Sequence, residues 1–580
     1  MLTVKDLSYG FPQKDLYNKI SFSVEDGQHA VLIGTNGTGK STLIEMLREP
    51  QEYLYDGKIQ LAPGQRVGYV SQFSIRDEKA DVTVFDYISE PFVKKQDEIN
   101  RICAEMEHAE NMDELMEQYQ DAWDMFTAMD GDNYEVNIKK QLKLAGLEKA
   151  ADLNVAELSG GEFKLVQIIR EMITRPALLI MDEPDAFLDF SNINALRDLI
   201  NGHKGTMLVV THNRYLLNHC FDKVLHLENM ELQEFDGSYV EYHYLMLQSK
   251  IEQMELAASD MEEIERNQKL VERLRKEATV VVSAARGRAL HARVSLLERL
   301  QARKTKSPFI EVPHPEIKLH TDFEPEEGAP VLTVSDYSVR YEEQLFKHVD
   351  FTLFTGEKVA VVGGNGTGKT TLLKDIYKQK NPAIQIADGV EMAYLSQMQG
   401  ETLDETKTIL ETMYDTGFET EKEVEAYLAP YGFSREMSGQ RIDSLSGGEK
   451  NLLQLAILSR GNAGLLLMDE PTSHLDIYAQ ESLEEAVSAY NGTLLMVSHD
   501  FYTIANCVDY VLYVEGQTIR RISARKFRKM IYANHFDKDY LEKEQKKKEL
   551  EGRIYGLLGK KDYDGARTLC DQLGELIASM

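Results

Sequence analysis

Apolar residues along this chain fall into two textures. Short unbroken apolar runs, His29–Gly34, Ala177–Asp182 and Met207–His212, are too brief for helices and end in polar residues, as strands buried on both faces do. A second trio repeats the pattern at Lys358–Gly363, Leu465–Asp469 and Leu494–His499, so the chain reads as two α/β units. Two stretches break the pattern. Val84–Gln141 is rich in Glu, Met and Leu at helical spacing and reads as an extended helical hairpin, or arm, on the first unit. Tyr244–Arg303 has no proline and one glycine, with heptad-like apolar positions at Leu270, Leu274, Leu296, Leu297 and Leu300. Two long helices with a turn near Ser283–Arg288 fit it, and Pro308, Pro313, Pro315 and Pro325 then mark an extended return. From about Asp537 the chain is charged and helical, with a turn near Gly559–Tyr563. The expected organisation is a first unit over 1–242 with its arm at about 84–141, a linker over 243–307, a return over 308–330, a second unit over 331–536 and a helical extension over 537–580.

The polar residues that close the runs recur in one order. GTNGTGKS at Gly34–Ser41 and GGNGTGKT at Gly363–Thr370 both fit the phosphate-loop pattern G-x4-G-K-[ST]. LSGGE follows at Leu158–Glu162 and Leu445–Glu449, then Asp182-Glu183-Pro184 and Asp469-Glu470-Pro471, then His212 and His499. Gln72 and Gln397 stand in matching Tyr-x-Ser-Gln contexts. The P-loops are offset by 329 residues and the glutamines by 325, whereas the later motifs are all offset by 287, so 38 extra residues lie between the first glutamine and its LSGGE. That surplus is the arm.

Each motif has a chemical reading. A glycine-rich loop between strand and helix turns backbone N–H groups and a helix N-terminus toward phosphates. Gly34, Asn36, Gly37, Gly39, Ser41 and Thr42 would line one ATP site, and Gly363, Asn365, Gly366, Gly368, Thr370 and Thr371 the other. Lys40 and Lys369 would reach the β- and γ-phosphates, while Ser41 and Thr370 would hold Mg²⁺. Asp182 and Asp469 end apolar strands, where a carboxylate is costly unless it serves a cation or hydrogen bonds; Mg²⁺ coordination is the natural role. Glu183 and Glu470 come next and would polarise the attacking water. A histidine ending a strand is commonly a core residue, but recurrence 30 residues after each Asp-Glu pair favours a γ-phosphate contact for His212 and His499. Gln72 and Gln397 would sense Mg²⁺ or the lytic water.

These motifs, in both halves, resemble the ABC ATPase superfamily. The resemblance implies two P-loop NTPase ABC domains in tandem, each signature (Ser159, Gly160, Gly161; Ser446, Gly447, Gly448) contacting ATP bound on the opposite unit. It offers Tyr9 or Phe11, and Tyr341, for stacking on adenine, and places Asp189 and Asp476 at the D-loop positions. The plan of two ABC units, a helical hairpin linker and no membrane domain is similar to the ABC-F family. That likeness implies a ribosome-binding factor near the tRNA exit site whose linker approaches P-site tRNA or the peptidyl-transferase centre. The halves are not identical. Pro184–Asp189 lacks the threonine and histidine found at Thr472 and His474, and Thr211-His212-Asn213 stands where the second half has Ser498-His499-Asp500. Both glutamates are present, so two competent but unequal sites are expected.

Composition sharpens this picture at one point. Net charge is −31, which by itself argues against a nucleic-acid partner. Yet Arg266–Lys306 holds twelve Lys/Arg against three glutamates, a net +9. Concentrated basic charge on a helical hairpin suits phosphate backbones, with Arg273, Arg275, Lys276, Arg286, Arg288 and Arg293 as candidate contacts to rRNA or tRNA. A second basic run, Arg520–Lys529, has six Lys/Arg and no acid. No apolar stretch reaches the ~20 residues needed to cross a bilayer. No signal region opens the chain, and the four cysteines are scattered, so a cytoplasmic monomer with intramolecular domain pairing is expected. Two alternatives stand beside the translation factor. One is an antibiotic-resistance ribosomal protection protein, for which Ala278–Ala285 with its three valines would be an apolar tip; the other is the ATPase motor of a membrane transporter.

Overall fold

The computed structural model describes all residues except 12–13, 62–65, 73–80, 108–111, 187, 281–290, 292, 296–313, 324–325, 327, 341–343, 536–537 and 580. Met1–Asp236 and Val312–Ile531 form one compact unit that contains both α/β halves; Gly237–Glu311 and Tyr532–Met580 form another.

In the first half, strands β1 (Leu2–Phe11), β2 (Lys14–Val24), β3 (His29–Ile33), β4 (Asp56–Leu61), β5 (Val67–Val70), β6 (Leu178–Asp182), β7 (Met207–Val210), β8 (Lys223–Glu228) and β9 (Glu231–Asp236) make two sheets. The larger has the order β5-β6-β7-β3-β8-β9, parallel except for the edge strand β9; the smaller, β2-β1-β4, is antiparallel. Residues of β6 and β7 are buried throughout, which is why their sequences are continuous apolar runs rather than alternating ones. Leu32, Leu43, Ile180 and Val210 share one core between the sheets and the helix Lys40–Arg48.

The second half repeats this with β10 (Pro330–Arg340), β11 (Gln344–Phe354), β12 (Lys358–Val362), β13 (Ile384–Ile386), β14 (Met392–Leu395), β15 (Leu465–Asp469), β16 (Thr493–Val497), β17 (Tyr510–Glu515) and β18 (Thr518–Ser523), in sheet orders β14-β15-β16-β12-β17-β18 and β11-β10-β13. In both halves the phosphate loop, the Asp-Glu pair and the histidine leave the carboxyl ends of neighbouring parallel strands. That edge is where ligands bind in open α/β sheets.

The first half carries three helices, Val84–Met106, Met112–Ala128 and Tyr134–Leu144, where the second has the two short ones Ile409–Asp415 and Glu421–Leu428. Residues 314–323 form no regular element; Ile317 and Leu319 are buried in the second half's core, and Thr321 is tied to Asn462 and Asn491.

In the other unit one helix runs over Tyr239–Val280, begun by reciprocal Ser238–Glu241 capping bonds. The expected turn at Ser283–Arg288 lies outside the described residues. Helices Lys538–Gly559 and Tyr563–Ala578 pack on its first turns, where Leu247 and Ile251 share a core with Leu550, Ile554, Leu558, Leu569 and Leu573. The apolar face of this extension is thus spent on the linker helix.

Candidate functional site

Helix Lys40–Arg48 starts from Gly39 at φ +97°, and helix Lys369–Lys378 from Gly368 at φ +92°, a left-handed geometry that favours glycine. Close approach demands glycine as well. A Cβ on Gly39 would lie 2.8 Å from the Tyr17 hydroxyl, and one on Gly368 2.9 Å from the Phe346 ring. An aromatic ring thus supports each loop, and in the first half the Tyr17 hydroxyl also donates to the Gly39 carbonyl at 2.5 Å. Sequence reading missed this pair because a ring on a half-buried strand looks like ordinary core.

Lys40 and Lys369 are buried, and their ammonium groups donate to their own loops: Lys40 to the carbonyls of Gly34 and Thr35 at 2.9 Å, Lys369 to those of Gly363 at 3.0 Å and Gly364 at 2.7 Å. Burial lowers both pKa values, against the pull of nearby carboxylates led by Asp476 for Lys40 and Glu470 for Lys369. A buried cation held by carbonyl dipoles at a helix N-terminus fits a polyphosphate.

Asp182 ends β6 and Asp469 ends β15, both buried. Burial, reinforced by Glu183, pushes Asp182 up to about 6, with the Ser41 hydroxyl opposing; burial also raises Asp469, with Thr370 opposing. Among the described residues no donor reaches good hydrogen-bond geometry at either Asp469 oxygen. Orphaned buried carboxylate oxygens beside a hydroxyl are a hard-oxygen donor set, and such a set fits Mg²⁺.

Glu183 and Glu470 both adopt left-handed backbone, φ +44° and +48°, with their N–H groups bonded to Val210 and Val497 on the neighbouring strand at 2.8 and 2.9 Å. The sheet therefore pays for strain at the residue that would face the water. Burial and the adjacent lysines pull His212 down to about 4 and His499 to about 3, so both rings are neutral. Among the described residues neither His212 nitrogen, nor Nδ1 of His499, has a hydrogen-bond partner, and His499 Nε2 lies 3.7 Å from Glu470.

Within this compact unit the halves meet head to tail. Asp476 caps the helix Ile477–Ala489 with one oxygen and accepts from the Asn36 N–H with the other at 3.1 Å; the Asn36 side chain donates to the His474 carbonyl at 2.8 Å. Reciprocally, Asp189 caps Phe190–Gly202 and accepts from the Asn365 N–H at 3.4 Å. Ser159 and Ser446 each N-cap a signature helix, Gly160–Ile173 and Gly447–Arg460, through a capping box with Glu162 and Glu449. A Cβ on Gly448 would strike the Asn36 amide.

The glutamates differ in company. Gln72 Nε2 donates to Glu183 at 2.5 Å, and His474 Nδ1 stands 3.4 Å from Gln72 Nε2 and 3.9 Å from the same Glu183 oxygen. Burial pushes Glu183 up, but His474, His212 and Lys40 hold it below its usual range; burial, aided by Asp469, drives Glu470 up to about 8. Gln397 is half-buried just after β14.

Other interdomain residues were not foreseen. Arg214 of the first half is bound to Glu484 and, at 3.1 Å, to Asp500 of the second, under the Tyr502 ring at 4.9 Å. Asn218 donates to Tyr502 at 3.0 Å, and the Phe190 ring lies edge-on to His499 at 5.9 Å. Lys164 on the first signature helix donates to the Ser71 carbonyl and, at 3.0 Å, to that of Gln72, holding the glutamine loop.

Tyr9 is half-buried among Phe11, Tyr17 and Tyr53, ring centroids 5.6 to 6.4 Å away. Tyr341 lies outside the described residues, as do Arg286, Arg288 and the side chains of Arg275 and Lys276. Arg273 is exposed, and Arg293 bonds Asn267 at 3.2 Å. In the second basic run, Arg521 is spent on Glu357 at 2.6 Å and on the Thr352 carbonyl.

Two P-loop sheets, each with its Asp-Glu pair and histidine, closed by reciprocal D-loop contacts, define a tandem ABC ATPase. The ABC transporter family model matches residues 17–186 and 346–473. The chain is 30% identical over 521 residues to ABC transporter F family member 5 of Arabidopsis thaliana, covering 86% of this chain and 72% of that protein. It is 29% identical over 541 residues to the energy-dependent translational throttle protein EttA of Mycobacterium tuberculosis, covering 89% and 91%. Among solved structures, that of the archaeal ribosomal stalk protein aP1 with the archaeal ribosome recycling factor aABCE1 aligns at TM-score 0.52 and 18% identity over 91% of this chain and 92% of that one, a likeness of fold. The chain belongs to the ABC-F family of ABC proteins, and it is an ATPase. No helix among the described residues is long and apolar enough to cross a membrane.

Proposed function

We propose that this protein is a cytoplasmic translation factor that binds the ribosome near the tRNA exit site and acts on P-site tRNA or the peptidyl-transferase centre through its basic linker. The observation that supports the reading is the head-to-tail pairing of Asn36 with Asp476 and Asn365 with Asp189, beside which each ATP would act as a joint between halves. A joint of this kind couples nucleotide state to shape: ATP favours the closed pairing, and hydrolysis releases it. The net +9 of Arg266–Lys306, in a chain of net −31, supplies the surface for RNA phosphates. The relative of 29% identity named as a translational throttle supports the same direction.

Within each site Lys40 or Lys369 would bind the β- and γ-phosphates, and the loop amides would wrap them. Ser446 with Gly447 and Gly448 would close over the first ATP, and Ser159 with Gly160 and Gly161 over the second. Ser41 with Asp182, and Thr370 with Asp469, would hold Mg²⁺, with Gln72 and Gln397 beside it; when bound, the ion neutralises phosphate charge. Glu183 and Glu470 orient and polarise the water, while the neutral His212 and His499 hydrogen-bond the γ-phosphate. Tyr9 or Tyr341 would stack on adenine.

The test is a ribosome-pelleting assay with ATP or ADP. Glu183→Gln with Glu470→Gln is expected to hold the ATP-bound form on ribosomes. Cosedimentation no better than that of the parent would refute the proposal.

A further inference from the structure

We propose that His474, reaching across from the second ABC half, is a positioning residue for hydrolysis at the first-half ATP site, a role that Phe187, its counterpart by sequence offset, has no nitrogen to play. The inference rests on the reading that the first P-loop and the second signature close over one ATP.

The His474 backbone is left-handed, φ +61°. Its loop is pinned to the first P-loop by two bonds, from the Asn36 side chain to the His474 carbonyl at 2.8 Å and from the Asn36 N–H to Asp476 at 3.1 Å. That anchorage carries the imidazole into the first-half site, with Nδ1 3.4 Å from Gln72 Nε2 and 3.9 Å from Glu183 Oε2. Gln72 donates to the same Glu183 oxygen at 2.5 Å. Three segments therefore converge on one carboxylate: the glutamine loop, the end of β6 and the opposite D-loop. A glutamate side chain anchored by its own backbone alone retains rotameric freedom. Support from two sides confines it, and confinement of a reacting group lowers the barrier to attack.

Because one support comes from the other half, it exists only while the halves are paired. Hydrolysis at this site is thereby tied to closure through a residue that need not touch the nucleotide. The 287-residue offset that maps Asp189 onto Asp476 maps Phe187 onto His474. Phe187 lies outside the described residues, but its identity suffices here: a phenyl ring has no nitrogen to offer a carboxylate.

The full chain carrying Glu470→Gln isolates first-half turnover. There, His474→Gly is expected to lower kcat about 10- to 100-fold with the KM for ATP little changed. Glycine accepts left-handed backbone, so the loss would report the side chain and not strain. His474→Gln, which keeps a nitrogen donor, is expected to recover part of the loss. A rise in KM with kcat intact, or a glutamine variant no better than glycine, would assign the histidine to loop structure and overturn the proposal. If Glu470→Gln alone silences the enzyme, ATP retained after a Mg²⁺-ATP pulse becomes the readout. One additional unhydrolysed ATP per chain in His474→Gly would support the proposal, and none would refute it. Failure of the shared site shows separately: Ser446→Arg would then leave first-half ATP affinity intact.

Discussion

Set side by side, the two nucleotide sites share every motif on their own half and differ in what the other half presents to them. The first-half glutamate meets Gln72 and, from across the interface, His474. The second-half glutamate accepts from the His499 N–H at 3.1 Å with that ring 3.7 Å away, and at the position that matches His474 the first half has Phe187 in sequence. A duplicated chain can thus make its sites unequal without altering either catalytic carboxylate, by changing one residue of the lid. The same one-sidedness recurs nearby. Arg214 spans to two second-half acids, whereas its counterpart by offset is Phe501. Asp185, half-buried and bonded to Thr211 at 2.6 Å, stands where the second half has Thr472.

The comparison breaks most directly at the glutamates. Removing a general base costs about 10²- to 10⁴-fold at its own site, so Glu183→Gln and Glu470→Gln, measured singly by phosphate release, apportion the total turnover. Glu183→Gln is expected to remove the larger share, and equal losses would make the sites equivalent. Next in size is Arg214→Ala, which leaves Glu484 and Asp500 without their cation; side-chain exposures of 11% for the arginine and 6% for Glu484 place this pair in the buried class. Breaking a buried pair costs about 3–5 kcal/mol, read as a lowered melting temperature of the full chain, and adding Glu484→Gln should recover part of it. Thr211→Val removes the hydroxyl that serves Asp185, whose carboxyl burial already drives to about 6. A loss of about 1–3 kcal/mol in denaturant unfolding is expected, more than for Ser498→Ala, which faces no buried carboxylate at position 472. The smallest effect belongs to Tyr17→Phe, which makes the first loop's support match Phe346; loss of one hydrogen bond is worth about 1 kcal/mol or less by the same measurement.

Strands and loops at the catalytic edge were legible because fully buried parallel strands leave unbroken apolar runs, and the residues closing them are chemically unusual there: Asp182 and Asp469 most of all. The two unequal lids were legible too, as a comparison of Pro184–Asp189 with Pro471–Asp476. What could not be read was partnership. Arg214 finds Glu484 some 270 positions away, a pairing no local pattern announces. Left-handed backbone at Glu183 and Glu470 comes from bonds to the neighbouring strand, which sterics of glutamate alone would disfavour. Likewise an amphipathic stripe on Tyr563–Ala578 foretells that something covers it, not that the cover is the helix Tyr239–Val280.

That last pairing has a bearing on how the chain is made. Leu247 and Ile251 leave the ribosome about three hundred residues before Leu550, Ile554 and Leu573, which complete their shared core. Until those later residues emerge, the root of the linker helix carries a bare apolar stripe, and a nascent chain cut short before position 550 would keep it. Contacts so distant in sequence close late, so this root becomes rigid only once Leu550, Ile554 and Leu573 have been made.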